Sequence, residues 1–306
     1  MAEAAPHISV VICTYNRQAY IVSCLQYLAK QSLPQYQYEV IVVDNCSTDE
    51  TASLVKNFLQ QNPALPFRYV FEDKKGLSYA RERGVNESKA EIILYIDDDA
   101  EANENLLKTY VDFFSTHTQA SGVGGCIIPK FTEKPEPKWI SRWLDGYLVR
   151  VDYGGDIRLF SGRMKYPAGC NMIYRKKYLI EAGGFNPELT FRGDDKYIYH
   201  AVKEINPNIY YVPDALVYHN IPGNRLDFAY FKTLFLKTGN EEKKRVAATG
   251  MFALIKKFTE YIFKFGVASA IWLWYSITGK EIKGRYVFYS QWFTLKGFLM
   301  KEVFVR

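Results

Sequence analysis

Cysteine is scarce in this sequence of 306 residues, because only five are present, odd in number and widely scattered. Structural zinc modules and disulfide frameworks need cysteines at short repeated spacings, so we expect neither, and a reducing compartment is favoured. We also expect no secretion signal, since the first apolar segment, residues 8–13, is short and fits a β-strand.

Long apolar runs are also few. The uncharged window at residues 265–279 spans 15 residues, which is shorter than the roughly 20 residues that a membrane-crossing helix needs. Five apolar residues fall near one helical face, with lysines elsewhere, as in a helix that lies flat on a membrane surface. These residues are Phe252, Ile255, Phe258, Ile262 and Phe265. The alternative is that this stripe packs on the rest of the chain or on a second subunit.

Most of the chain has no net positive charge. The first 226 residues contain 25 Lys and Arg against 27 Asp and Glu, a net charge of −2, whereas residues 227–306 contain 14 against 6, a net charge of +8. The last 80 residues also hold 19 of the 49 aromatic residues. A basic, aromatic composition favours an anionic membrane surface as partner, and we expect no binding to nucleic acid.

The first hundred residues alternate short apolar runs with helical patterns. Four runs predict strands: HISVVIC, YEVIVVD, FRYVFE and residues 91–96. Ser47 and Glu50 have the spacing of a capping box at the second helix. This order predicts an α/β domain over residues 1–225, with a mostly parallel sheet flanked by helices, followed by a helical extension over residues 226–306. Near the end of the predicted α/β domain, Pro213-Asp214 is expected to separate two short extended pieces.

The fourth predicted strand ends in three consecutive aspartates, Asp97, Asp98 and Asp99. In an extended chain Asp97 and Asp99 share one face, and Asp98 points the other way. Such a pair can hold a hard divalent cation such as Mg²⁺ or Mn²⁺, which takes its other ligands from phosphates and water. The alternative is an acidic turn that begins a helix near residues 103–117.

Polar residues also follow the first two strands. Thr14, Tyr15, Asn16 and Arg17 end or follow the first strand, and Asp44 ends the second. The carboxyl ends of parallel strands meet at one edge of a sheet, where α/β proteins bind ligands. These positions favour a nucleotide and metal site over a simple helix start.

Eight segments occur in a characteristic order: SVVICTYNR, VIVVDNCSTDET, KGLSYARERGV, LYIDDDAE, AGCNMIYR, GGF, GDD and VYHNIP. Together they resemble the family 2 glycosyltransferases of the GT-A fold, over residues 7–225. The C-terminal part resembles, more loosely, the aromatic and basic tails of bacterial members that act near membrane lipids. The resemblance implies transfer of a sugar from a nucleotide-diphosphate donor to an acceptor hydroxyl, with inversion at the anomeric carbon.

The resemblance also implies roles for individual residues. It assigns the nucleotide sugar to Thr14, Tyr15, Asn16, Arg17, Asp44, Arg81, Asp97 and Asp98. It assigns the divalent metal, Mn²⁺ or Mg²⁺, to Asp99, Asp97 and His219. It assigns contacts with the acceptor or donor sugar to Gly169, Asn171 and Trp139. It makes Asp195 the catalytic base, beside Asp194. The family has Asn after the arginine of GLSYAR, whereas this chain has Glu82, so position 82 receives no role.

Simpler roles remain open for most of these residues. Asp194 and Asp195 could cap a helix, and Tyr15 with Asn16 could form only a strand-to-helix turn. His219 could be a core histidine, and Arg81 could pair with Glu72 or Asp73 on the surface. Gly169 and Asn171 could serve a tight turn, and Trp139 and Trp143 could pack in a core.

The sequence therefore predicts a metal-dependent inverting glycosyltransferase that uses a UDP-sugar and extends a cell-surface glycan or lipid-linked saccharide. We expect it on the cytoplasmic face of a bacterial membrane, as a peripheral protein. One alternative is a non-catalytic nucleotide-sugar sensor or scaffold at the membrane. Another is a nucleotidyltransferase, but the loop CTYNRQAY contains no glycine for a triphosphate cradle.

Overall fold

The structure is a computed structural model that describes residues 5–162, 164–189, 193–247 and 249–300. The chain divides into two compact units, Met1–Pro129 with Val149–Asn220, and Lys130–Leu148 with Ile221–Arg306. The predicted boundary after residue 225 did not anticipate that residues 130–148 group with the C-terminal helices. Phe191 and Arg192 of the FRGDD stretch, and the last six residues of the predicted extension, lie outside the described residues.

The first unit is built on a mixed sheet. Its strands are β1 Ile8–Thr14, β2 Tyr38–Asp44, β3 Phe67–Phe71, β4 Ile92–Ile96, β5 Ala100–Ala102, β6 Gly122–Lys130, β7 Arg158–Leu159, β8 Asn171–Arg175 and β9 Ile209–Asn220. Their order is β3-β2-β1-β4-β8-β6-β9-β5, with β7 beside β9. The four strands predicted from the sequence run parallel, and β8 joins β4 in the antiparallel direction. The predicted α/β class is confirmed.

Helices cover this sheet. They are α1 Ile21–Ala29, α2 Thr51–Gln61, α3 Leu77–Glu87, α4 Leu106–Thr116, α5 Lys176–Glu181 and α6 Asp194–Ile205. Helix α1 buries Ile21, Cys24, Leu25 and Leu28. The capping box at Ser47 is wrong, because α2 begins only at Thr51 and the Ser47 hydroxyl accepts a hydrogen bond from the backbone N–H of Asn16 at 3.0 Å.

Strand β9 is continuous through Pro213 and Asp214, so the prediction of two separate pieces is wrong. Residues 210–211 pair with β7, and residues 217–219 pair with β5. Pro213 lies between these pairings, so its missing N–H costs no hydrogen bond to either strand. One long strand therefore delivers His219 to the sheet edge.

The second unit contains three long helices, α7 Phe228–Ala247, α8 Met251–Ile277 and α9 Glu281–Leu299. Trp139 stacks on Tyr286 of α9 with ring centroids 4.3 Å apart, and Tyr147 stacks on Phe235 of α7 at 5.8 Å. These aromatic contacts explain why residues 130–148 belong to this unit. Within the described part of the chain, no helix combines the length and the apolarity that crossing a bilayer requires.

Helix α8 has one packed face and one exposed face. Phe265 and Trp272 pack on Phe288 of α9, with ring centroids 5.0 and 4.8 Å apart. The opposite face exposes large apolar side chains: Met251, Phe252, Ile255, Phe258, Ile262, Phe263, Val267, Leu273, Trp274 and Ile277. We call these ten residues the α8 stripe. The predicted apolar face is correct for four of its five residues, whereas Phe265 belongs to the packed face.

Candidate active site

The three aspartates lie in a short turn between β4 and β5. Since β5 separates them from α4, the alternative of an acidic turn that begins this helix is wrong. The β5–β9 register pairs Ala100 with His219, which brings the imidazole beside the turn. Asn220 fixes the turn from the same strand, because its backbone N–H and its Nδ2 both donate to the carbonyl of Asp99 at 3.0 Å.

Asp97 and Asp99 both approach His219, although they do so from a turn and not from the extended strand that the sequence predicted. His219 Nε2 lies 3.3 Å from Asp99 Oδ1. One ligand atom each from Asp97, His219 and Cys170 lies within 4.8 Å of the other two. His219 and Asp99 are buried. The side chain of His219 therefore faces a carboxylate, which argues against a core histidine held only by a backbone carbonyl.

Asp98 points to a different partner. Arg17 Nε lies 3.2 Å from Asp98 Oδ1, and Arg17 Nη2 lies 3.9 Å from Asp99 Oδ2. Burial raises the pKa of Asp98 to about 8, although Arg17 lowers it. Burial and then the charge of Asp99 raise the pKa of Asp97. If all three aspartates are ionised, they carry more negative charge than Arg17 offsets, and a divalent cation would stabilise that ionised form.

The donor set at this turn fits such a cation. Asp97 and Asp99 offer carboxylate oxygens and His219 offers an imidazole nitrogen, which are ligand types that Mn²⁺ and Mg²⁺ accept in proteins. The predicted metal residues are thus brought together. Their binding of a metal stays a prediction.

The loop after β1 is tied to the loop after β2. Asn16 adopts a positive φ of 54°, and its Oδ1 accepts the backbone N–H of Thr48 at 2.8 Å. The N–H of Arg17 donates to Thr51 Oγ1 at 2.8 Å. Asn16 therefore has the turn role that the sequence left open. Tyr15 is exposed, and its hydroxyl accepts Lys75 Nζ at 2.7 Å.

Thr14 and Asp44 lie side by side in the parallel register of β1 and β2, and both are buried. The Asp44 carboxylate accepts the hydroxyl of Tyr69 at 2.7 Å and the N–H of Ser47 at 2.9 Å. These bonds fix the orientation of the carboxylate at the sheet edge. The contacts of Thr14, Tyr15, Asn16 and Asp44 with a nucleotide stay predictions.

Arg81 and Asp194 form a buried ion pair between α3 and the first residue of α6. The surface pairing of Arg81 with Glu72 or Asp73 is therefore wrong. The guanidinium also lies over the rings of Tyr95 and Phe185, with its Cζ 5.7 and 5.6 Å from their centroids. These buried contacts give Arg81 a structural role. Its contact with the donor stays a prediction.

Asp195 is held differently from Asp194. It is partly exposed, and its Oδ2 accepts the backbone N–H of Gly169 at 3.3 Å. A Cβ at position 169 would lie 2.3 Å from Arg81 Nη2, so glycine is needed for this close approach. Arg81, Gly169 and Asp97 surround one small enclosed space, and Asp194 and Asp195 contact Arg81 and Gly169 respectively.

Asn171 and Trp139 make contacts within the fold. Asn171 is fully buried: its Nδ2 donates to the carbonyls of Ala215 at 2.8 Å and Cys126 at 3.1 Å, and its Oδ1 accepts the hydroxyl of Tyr110 at 2.6 Å. Trp139 is buried in the second unit and has the core packing that the sequence left open. Neither side chain faces solvent, so their assignment to a sugar pocket gains no support from the structure.

Sequence reasoning missed Cys170, Asn220 and Glu82. Glu82 Oε2 accepts the N–H of Phe185 at 3.2 Å, which gives this unassigned position a structural role at the Gly-Gly turn. Cys170 and Asn220 directly neighbour the predicted residues Asn171 and His219 in sequence. This adjacency is the signal that was available for both.

The sheet and its acidic edge define a class, the GT-A-like glycosyltransferases, and solved structures share this fold. The mannosyltransferase PcManGT from Pyrobaculum calidifontis, in complex with GDP-Man and Mn²⁺, matches 98% of this chain and 89% of its own, with a TM-score of 0.62 and 18% identity. TarS 1-349 of S. aureus in complex with UDP-GlcNAc matches 92% of this chain and 90% of its own, with a TM-score of 0.57 and 20% identity. At these identities the likeness shows the fold alone.

The chain belongs to Glycosyl transferase family 2, because the model of that family matches residues 9–183, more than half of its length. The poly(ribitol-phosphate) beta-N-acetylglucosaminyltransferase TarS of Staphylococcus aureus is 26% identical over 194 residues, 61% of this chain. The chain spans only about a third of that relative, 31% of its length. The glucosyl-dolichyl phosphate glucuronosyltransferase of Haloferax volcanii is 23% identical over 235 residues, covering 72% of this chain and 71% of the relative. The predicted family is confirmed.

Proposed function

We propose that this chain is a metal-assisted inverting glycosyltransferase that transfers a sugar from a nucleotide-diphosphate donor, a UDP-sugar, to a hydroxyl of a cell-surface glycan or lipid-linked saccharide. The convergence of Asp97, Asp99 and His219 at the carboxyl edge of the sheet carries this proposal. The names of TarS and PcManGT, with their UDP-GlcNAc and GDP-Man complexes, support a nucleotide sugar as donor.

Asp97, Asp99 and His219 are the residues that would hold Mn²⁺ or Mg²⁺. Such a cation supplies charge neutralisation for the diphosphate that leaves the sugar. Arg17, which pairs with Asp98 at 3.2 Å and has a partly exposed side chain, can offer a second positive charge to the same phosphates. This chain would thus stabilise the leaving group from two sides of the aspartate turn.

Asp195 is the proposed general base. The charge of Asp194 is matched by Arg81, whereas Asp195 is partly exposed and meets backbone N–H groups of Gly169 and Lys196 at 3.3 and 2.7 Å. These donors orient the carboxylate without neutralising its charge, so it can accept the proton of an attacking hydroxyl. A single displacement needs only one such base, which is consistent with inversion.

The Asp195→Asn variant tests this assignment. It keeps the shape of the side chain and removes the base, so transfer should fall by roughly 10²-fold or more while donor binding stays near wild type. Donor binding is read by thermal shift with UDP-sugars and Mn²⁺, and transfer by release of UDP. Wild-type turnover in the variant would sink the base assignment. A wild-type protein that binds donor but never releases UDP would instead favour the nucleotide-sugar sensor.

We further propose that the second unit binds the surface of an anionic membrane through the α8 stripe, which places the protein peripherally on the cytoplasmic face. The stripe runs along a helix of 27 residues, and its Phe252, Phe263 and Trp274 are 81%, 71% and 64% exposed. Lys256 and Lys264 belong to the same helix, and basic residues beside an apolar face favour anionic lipid.

Replacing Phe252, Phe263 and Trp274 together by Ser should release the protein from anionic liposomes, since each buried aromatic contributes about 1.5–3 kcal/mol. Sedimentation with anionic and with neutral vesicles measures this binding, and donor thermal shifts control for folding. Unchanged liposome binding together with loss of a dimer in gel filtration would make the stripe a subunit contact instead.

A further inference from the structure

We propose that the thiol of Cys170 is a ligand of the cation at the aspartate turn, and that it shifts this site toward thiophilic divalent metals such as Zn²⁺ and Co²⁺. The inference rests on the proposed metal site and adds a ligand to it. Cys170 is distant from the other ligands in the sequence, 73 residues from Asp97 and 49 from His219.

The sheet register explains why these distant residues meet. Strands β4 and β8 are antiparallel, with Ile96 opposite Asn171. The pairing ends there, and the same register continued by one step would set Asp97 opposite Cys170, in line with the approach of their ligand atoms to within 4.8 Å. On the far side of the turn, the pairing of Ala100 with His219 brings in the imidazole. Two separate strand pairings therefore converge on one point.

The ligand atoms are close enough for one ion. Those of Asp97, Cys170 and His219 lie within 4.8 Å of one another, and Asp99 Oδ1 lies 3.3 Å from His219 Nε2. Metal–ligand bonds of about 2.0–2.3 Å can bridge atoms at this spacing after a small contraction. Cys170 and His219 are buried, so the ion would be shielded from bulk water on their side.

The chemistry of the set distinguishes it from an all-oxygen site. Binding forms a metal–sulfur bond as the thiol releases its proton to solvent, because the ligating species is the thiolate. Thiolate is a soft ligand that favours Zn²⁺ and Co²⁺ over Mg²⁺ and Mn²⁺, whereas two carboxylates and an imidazole serve all four metals. Removing Cys170 should therefore change the ratio of metal affinities more than it changes Mn²⁺ binding.

Co²⁺ is the probe that reports sulfur directly. The metal-free full-length protein is titrated with Co²⁺ without oxygen, and its near-ultraviolet absorption is recorded. We expect a sulfur-to-cobalt charge-transfer band in the wild type and in Cys24→Ser, and its loss in Cys170→Ser and Cys170→Ala. Cys24 is the matched control, since it is equally buried and its thiol lies 3.6 Å from the carbonyl of Asp97.

Competition between Zn²⁺ and Mn²⁺ gives a second readout, with Mn²⁺ followed by electron paramagnetic resonance. In Cys170→Ser, the Zn²⁺ affinity should fall by about tenfold or more, the scale on which changes around metal sites act, while Mn²⁺ affinity changes less. Far-ultraviolet circular dichroism and donor thermal shift establish that the variants are folded.

The outcomes separate this inference from the proposed function. A wild type that binds Mn²⁺ and Co²⁺ without a charge-transfer band overturns the Cys170 ligand and leaves the aspartate and histidine site standing. A band that disappears in Cys24→Ser and persists in Cys170→Ser assigns the sulfur to Cys24 and also overturns it. Failure to bind any of these metals in the wild type overturns both proposals.

Discussion

The buried ion pair of Arg81 and Asp194 yields a stability prediction that can be worked out from its surroundings. Arg81→Met leaves the Asp194 carboxylate buried and without its cation, and breaking such a pair costs about 3–5 kcal/mol. For a unit of this size, about 1 kcal/mol shifts the melting temperature by roughly 2–4 °C, so a loss of about 6–20 °C is expected.

The double variant Arg81→Met with Asp194→Asn tests the cause. It removes both charges, so most of the loss should be recovered, since buried pairs replaced together are often nearly neutral. Recovery should be incomplete by about 1 kcal/mol, because the guanidinium also lies over the rings of Tyr95 and Phe185. The coupling energy from this double-mutant cycle isolates the pair.

The same helix provides a control. Arg83 pairs with Glu87 at 2.9 Å on the surface of α3, and Arg83→Met should cost about 1 kcal/mol or less. Urea unfolding, followed by fluorescence and by circular dichroism, is measured for the wild type, Arg81→Met, Asp194→Asn, the double variant and Arg83→Met, and tests whether each transition is two-state. The reasoning is refuted if Arg81→Met costs no more than Arg83→Met, or if the double variant is as unstable as the single one.

Two further predictions concern the metal and pH. Asp99→Ala should weaken Mn²⁺ binding by about tenfold or more in a direct titration. An unchanged Mn²⁺ affinity would mean that Asp99 is not a metal ligand. In the second unit, burial raises the pKa of Glu242, but hydrogen bonds from Arg245 and Lys257 bring it below 4.5. Because the folded pKa is lowered, this carboxylate stabilises the unit above its unfolded pKa, and the contribution is lost as pH falls through the folded value. Glu242→Gln should therefore lower the melting temperature more near pH 7 than at acidic pH, where the carboxyl becomes protonated in the folded protein, and an equal effect at both would contradict this.

The sequence predicted the elements whose signals are local. The parallel strands β1 to β4 followed from apolar runs, whereas Asp97 and Asp99 were expected together from the period of an extended strand but approach His219 from a turn. The partner of Arg81 could not be predicted, because 113 residues separate it from Asp194 and only the tertiary fold joins them. Cys170 was missed for the same reason, since its place depends on antiparallel pairing of β8 with β4.

Local signals also misled where tertiary contacts decide the outcome. Ser47 and Glu50 have the spacing of a capping box, yet the Ser47 hydroxyl is taken by Asn16 from the neighbouring loop. Pro213 predicted a break in a strand that in fact continues, because the neighbouring pairings need no N–H there. On α8, Phe265 shares the period of the exposed stripe but meets the rings of α9.

The hydrogen bonds of Asn171 limit the substitutions that this position can accept. Its amide must donate twice and accept once, toward Ala215, Cys126 and Tyr110, in a space with no solvent to replace a lost partner. Asp at this position would turn two donations into repulsion between oxygens, and Gln would be one methylene too long. Libraries of variants should therefore leave Asn171 unchanged.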